Sequence, residues 1–348
     1  MTYSETIRSG FKLVNKKWQL VAVQAGMMLF NCIGFFVIVG IPLGVAFIIF
    51  GLDLTGLAEV KDILGLLRNP AALLSKYFGL VLIVVTSFLF YLLMITTLGL
   101  YVFSGSVGII GRTLLEPSSK FSMRAFFSEA RKLFFPLMWF SLFVGLVIII
   151  IAFILGLLGG GVASVVSAAK SQDSTLALFL GIFFSLIVIL LGLGAILITL
   201  AVTVFGIAVL FFKGEGTIKS FRGAFDFLWN NQNAFWLYVI LLVGYILTSF
   251  VVMLVVYPFN LIPIIGAIIS FPFQILSYVI QGYLGLVIMA SIFTYYYEAE
   301  VRKAGPVGAL QPLTETPGEG STGTEGISAP QAPGQETIHP GMDEKEQG

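Results

Sequence analysis

Apolar residues in this chain come in long unbroken blocks, with the polar residues pushed into the gaps between them. Six blocks, at 19–51, 77–111, 133–167, 175–212, 233–258 and 261–297, each exceed the roughly 20 residues that cross a hydrocarbon layer about 30 Å thick. No Asp, Glu, Lys, Arg or His interrupts any of them. A backbone in lipid must satisfy its own hydrogen bonds, so each block is predicted to be a helix, and the gaps pair the six into three hairpins. At about 1.5 Å per residue the longest blocks would reach about 50 Å. Tilting or kinking is therefore expected, with Pro42, Pro136, Pro258, Pro263 and Pro272 as bend points. The first block exceeds the roughly 7–15 residues of a signal-peptide core and is read as an uncleaved anchor.

A second pattern precedes blocks one, three and five. In the first segment Ile7, Phe11, Val14 and Trp18 recur at helical spacing, while Arg8, Lys12, Asn15 and Lys16 take the other face. In the third, Ile218, Phe221, Phe225 and Leu228 oppose Lys219, Arg222 and Asp226. The middle segment, from Ser122, mixes Arg124 and Arg131 with Phe126 and Phe127. Each contains a small residue followed by Phe, at Gly10-Phe11, Ala125-Phe126 and Ala224-Phe225, which points to an internal repeat. A helix with one aromatic and one basic face is expected at headgroup level. Arg8, Lys12, Lys16, Arg124, Arg131, Lys219 and Arg222 are thus candidate contacts for anionic lipid headgroups. The alternative is that these helices only anchor and orient the hairpins. On the opposite side, Leu57, Val60, Leu64 and Leu67 predict a further surface helix over 55–68, ended before Pro70.

Charge sets the expected orientation. Of nineteen Lys and Arg, all but Lys61, Arg68, Lys76 and Lys170 fall before block one, in 112–132, in 213–222 or after 297. That asymmetry predicts a multi-pass protein of the cell membrane with both termini in the cytoplasm. A composition of 58% apolar and 11% charged residues agrees, and a net charge of +1 offers nothing to a nucleic acid. Residues 304–348 hold nine glycines and six prolines and are predicted to be a disordered cytoplasmic tail, leaving 1–303 as the membrane domain.

The only histidine, His339, lies in that tail and the only cysteine, Cys32, in block one. Neither a Cys/His metal site nor a His-based triad is available, so no catalytic residue, metal or cofactor is expected. Asp53, Glu59 and Asp62 share their segment with basic residues and read as a solvated face. Polarity inside the blocks is uncharged and concentrated in the first and last. Gln24 and Asn31 sit seven apart on one helix face, and Ser270, Gln274, Ser277 and Gln281 recur every three or four residues. Two readings stay open: a polar groove between spans one and six, or structural glue contributing about 0.6–2 kcal/mol per hydrogen bond. Gly40 with Gly44, the row Gly105, Gly108 and Gly111, and Gly156 with Gly159 to Gly161 are predicted close approaches.

The segments Gly10-Phe11-Lys12-Leu13, Ala125-Phe126-Phe127 and Ala224-Phe225-Asp226-Phe227-Leu228-Trp229, each leading into a hairpin, make residues 3–300 resemble a known group of membrane domains. These precede the catalytic barrel in some glycerophosphodiester phosphodiesterases and also occur as stand-alone relatives. The barrel is absent from this chain, so the resemblance implies no catalytic residue. The expectation is an all-α polytopic membrane protein whose three hairpins each follow a cytoplasmic amphipathic interfacial helix. Its expected role is that of a non-catalytic scaffold, assembly or lipid-interacting component. Partners would be the bilayer, anionic headgroups, and a protein met in the membrane or at the tail. The alternative is a transporter or channel for an uncharged or lipidic substrate.

Overall fold

The computed structural model describes residues 2–55, 75, 77–171, 173–260 and 265–302. The predicted surface helix beyond residue 55, the side chains of Asp53 and Ser270, Pro263 and the tail from 303 lie outside the described residues. What is described is all α-helical, and six of its helical stretches are long and apolar enough to cross a membrane. This is a multi-pass membrane protein.

Helix α1 (Tyr3–Lys16) precedes span one, which consists of α2 (Gln19–Phe35), a π-helical turn (Phe36–Gly40) and α3 (Ile41–Thr55). The turn lies just ahead of Pro42, whose ring nitrogen has no hydrogen to give a regular ladder. Spans two, three and four are α4 (Phe78–Leu115), α5 (Met123–Lys170) and α6 (Ser174–Lys213). Helix α7 (Thr217–Asn230) leads into span five, α8 (Gln232–Asn260), and span six is α9 (Ile265–Tyr296) with a closing π-helical turn (Tyr297–Val301). The first and third amphipathic segments are therefore separate helices. The second runs unbroken into span three, giving a helix of 48 residues with Pro136 inside it.

The repeat is real in the pattern of burial, in a register different from the predicted one. Counted from the N-caps Thr2, Ser122 and Gly216, the inward positions fall four, eight, eleven and twelve residues on. They are Thr6, Gly10, Leu13 and Val14 in the first unit, and Ser220, Ala224, Phe227 and Leu228 in the third. In the second they are Phe126 and Ala130, with Leu133 and Phe134 half-buried. Gly10 and Ala224 correspond as predicted, but their counterpart is Ala130, not Ala125. The Ala125-Phe126 pair is out of register because Phe126 fills the inward position where the other units have Thr6 and Ser220. Its ring is accommodated by Gly105 on α4, where an added Cβ would come within 2.5 Å of Phe126 Cζ.

Each segment packs on the second span of the preceding unit. The segment at 126–134 lies on α4, α7 lies on α6 with Phe205 against Phe227, and α1 closes the cycle on α9, with Gly10 against Val287 and Ser291. Spans two, four and six meet at the centre, where the Phe211 ring sits in the notch at Gly111 and against Phe293. The most buried stretches, Ser104 to Gly111, Ala201 to Leu210 and Leu286 to Tyr296, make one band near a single end of the bundle. Hydroxyls within that band bond back to their own helices, as Ser104 to the Leu100 carbonyl at 2.7 Å and Ser291 to the Val287 carbonyl at 2.8 Å. They thereby offer small, satisfied surfaces to the neighbouring helix.

Beyond the band the spans present their side chains outward. Helices α5 and α6 form an antiparallel hairpin in which Phe140, Leu155 and Val166 face Gly206, Gly192 and Gly181. The close approaches are thus on α6. A Cβ at Gly156, Gly159, Gly160 or Gly161 would have no neighbour within 4 Å, and neither would one at Gly44. At Gly40 the nearest atoms belong to Phe35 and Phe36 of its own span. Of the predicted glycine rows, the one at Gly105, Gly108 and Gly111 receives neighbours, namely Phe126, Glu129 and Phe211.

Candidate functional site

Spans one, two and six enclose a groove of about 640 Å³. Helix α2 contributes Gln24, Met27, Met28, Asn31, Cys32 and Phe35, and α9 contributes Gln274, Ile275 and Tyr278. The third wall is α4, with Tyr91, Ile95, Gly99, Val102 and Phe103. Helical spacing explains the first wall, since Gln24, Met28 and Asn31 are four and three residues apart and fall on one face. Gly282 allows α9 to come close, because a Cβ there would be 2.8 Å from Gln24 Oε1.

Three of the six predicted groove residues come together here: Gln24, Asn31 and Gln274. Ser277 and Gln281 do not line the groove. They pair along α9, with Gln281 Nε2 donating to Ser277 Oγ at 3.5 Å. The face of α9 turned to α2 is the one carrying Ile275, Tyr278 and Gly282, about one position around the helix from the serine and glutamine stripe.

Inside the groove, the Tyr91 hydroxyl donates to Asn31 Oδ1, and the Tyr91 ring stands edge-on to Phe35 at 5.4 Å. Asn31 is therefore partly structural. Replacing Tyr91 by Phe is expected to strand the Asn31 oxygen and lower stability by about 1 kcal/mol, read as a lower thermal midpoint in detergent. Gln24 and Gln274 make no hydrogen bond among the described residues. Two amides with donors and acceptors to spare, walled by methionines and aromatics, can hold the hydroxyl or carbonyl group of an otherwise apolar molecule. Phe35 and Tyr278 at the rim are exposed. Tyr91, Tyr278 and Gly99 are groove residues that sequence reasoning did not single out.

The seven predicted headgroup residues, Arg8, Lys12, Lys16, Arg124, Arg131, Lys219 and Arg222, are all exposed and lie on the segments at the buried-band end. Lys16 Nζ donates to the Pro117 carbonyl at 2.9 Å, and Arg222 stands 3.9 Å from Asp226. The apolar stripe of α1 serves the protein more than the lipid, since Val14 is buried and Ile7 and Phe11 pack on the core. On α7 the stripe divides. Leu228 is buried, whereas Ile218 and Phe225 stay exposed beside Trp229 and Arg222. All four tryptophans, Trp18, Trp139, Trp229 and Trp236, are exposed close to this end, as in the aromatic belt of a membrane interface.

Fold and groove together define a six-span, all-helical multi-pass membrane protein. No family model, curated protein or solved structure matches the chain.

Proposed function

We propose that this protein is a non-catalytic, lipid-handling component of the cell membrane. It takes an apolar molecule bearing an uncharged hydroxyl or carbonyl group into the groove between spans one, two and six. The observation that carries this reading is the pair of unbonded amides, Gln24 and Gln274, facing an open volume within an apolar wall. A bundle needing only glue would have those amides bonded to each other or to a neighbouring helix. The excess of basic residues at the buried-band end supports an orientation with that end, and both termini, in the cytoplasm. The cations exposed there are suited to anionic headgroups. The recurring N-cap and burial pattern of the three units supports kinship with the membrane domains of glycerophosphodiester phosphodiesterases.

A second reading, as scaffold for a protein partner, is favoured by the exposed aromatic face of α7, where Phe225 and Trp229 stack at 6.0 Å. Extraction into lipid discs followed by mass spectrometry separates the two. The expected result is a neutral amphiphile bound to the wild type and depleted at least about tenfold, or 1.4 kcal/mol, by the double change Gln24→Leu and Gln274→Leu. A stoichiometric protein partner with no bound amphiphile would replace the groove reading by the scaffold.

A further inference from the structure

We propose that a second, polar pocket at the buried-band end binds a phosphate group through Lys17, Arg112 and Lys120. The pocket has a volume of about 290 Å³ and lies between the end of α1, the last turn of α4, the α4–α5 linker and the first turn of α5. None of these three cations belongs to the exposed headgroup set, and the pocket shares no lining residue with the groove. The two sites are therefore independent of each other.

The linker is what makes the pocket. Between α4 and α5 the chain spends seven residues, 116–122, whereas the equivalent connection from α6 to α7 takes three, 214–216. The extra length carries Pro117 and Ser119, and both lysines ending α1 reach it, Lys16 at the Pro117 carbonyl and Lys17 at the Ser119 carbonyl. The same extra length brings Lys120 to the pocket wall.

Lys17 is only 4% exposed. Its partner is a neutral carbonyl, and no carboxylate pairs with it among the described residues. An ammonium has three donors, so two remain for a ligand. A buried cation without a counter-charge is costly, and burial, with neighbouring Lys16, pushes Lys17 below the usual lysine range. The nearby carboxylates pair with Arg112 and Lys132 and leave Lys17 and Lys120 without one: Glu116 lies 3.3 Å from Arg112, and Glu129 lies 3.9 Å from Arg112 and 3.6 Å from Lys132. Glu116 is the one acidic residue on the wall, against three cations. Lys120 makes no ion pair among the described residues. The first turn of α5, capped by Ser122 on the pocket wall, adds the positive end of a long helix. A dianionic group of phosphate size would supply the charge that Lys17 and Lys120 lack.

The phosphate can come from solution or from a lipid headgroup, and the test separates them. Full-length protein is placed in discs of phosphatidylcholine and its thermal midpoint is followed against inorganic phosphate, with chloride matched for ionic strength. The second arm compares phosphatidylcholine discs with equimolar phosphatidylcholine and phosphatidic acid. Lys120 is exposed, so Lys120→Gln keeps the fold where Lys17→Gln risks losing it. A midpoint that rises with inorganic phosphate, needing at least about tenfold more in K120Q, assigns a soluble phosphate ligand. A rise confined to phosphatidic acid discs and lost in K120Q assigns a headgroup. Wild type and K120Q responding alike in both arms would overturn the proposal.

Discussion

Replacing Gly10 by Leu is expected to unseat α1 from span six and to cost about 3 kcal/mol or more. A Cβ at Gly10 would stand 3.0 Å from both the Ser291 nitrogen and the Val287 carbonyl oxygen, with the Ser291 hydroxyl closer still. Two of those atoms are backbone in the interior of a long helix, and a backbone there cannot step aside as a side-chain end can. Even Gly10→Ala should cost about 1–3 kcal/mol, with Leu worse because its further carbons enter the same space. Loss of α1 would also release Tyr283, whose hydroxyl donates to Asn15 at 2.8 Å, and would free Lys16 and Lys17 from the linker. Thermal unfolding in detergent, followed by tryptophan fluorescence, would report the change. The control is Gly160→Ala, which meets nothing within 4 Å and gains helix propensity of up to about 1 kcal/mol, so its midpoint should hold or rise. A wild-type midpoint for Gly10→Leu would mean that α1 does not pack on span six.

The six spans were legible because lipid leaves a backbone little choice: a long block free of charge has to be a helix. Gln24 and Asn31 were legible for a related reason. Amides are rare enough in apolar helices that a seven-residue separation defines a face without knowledge of its neighbours. Tyr91 was not, because one tyrosine in an apolar span carries no spacing signal, and its relation to Asn31 exists only once α2 and α4 are side by side. The glycines show the same limit. Gly156 to Gly161 looked like a contact surface by density, yet the bulky side chains of α5 land on Gly181, Gly192 and Gly206, which are scattered along α6. Which glycine is needed depends on the partner's side chains, and that information sits on another helix.

The middle repeat failed for a subtler reason. Phe126, seated on Gly105, is large where the other units have the small Thr6 and Ser220, so matching residue types within one segment shifted its register by five. The N-caps would have been the better anchor, since Thr2 and Ser122 both accept from the amide three residues on. Lys17 entered the sequence reading only as one of the basic residues before span one, because its burial depends on a linker a hundred residues away.

Filling the groove from Gly99 is the change expected to affect ligand binding most while leaving the fold intact. Gly99 lies on the α4 wall, and a Cβ built there meets no atom within 4 Å, so a Phe side chain has open volume before it. Overpacking therefore has little to act against, and replacing a mid-helix glycine adds propensity. The ring would take up part of the groove that Met28, Asn31 and Gln274 also line, where the polar head of a bound molecule is proposed to sit. Gly99→Phe is expected to reduce retained amphiphile by at least about tenfold, or 1.4 kcal/mol, with the thermal midpoint of the empty protein unchanged. Gly99→Ala, which adds one methyl, should retain most of it. This pair separates shape from chemistry, because the leucine changes at Gln24 and Gln274 remove polarity and keep the volume. Depletion by Gly99→Phe but not by the leucine pair would mean that the groove selects by fit alone; retention in both would place the bound lipid elsewhere on the bundle.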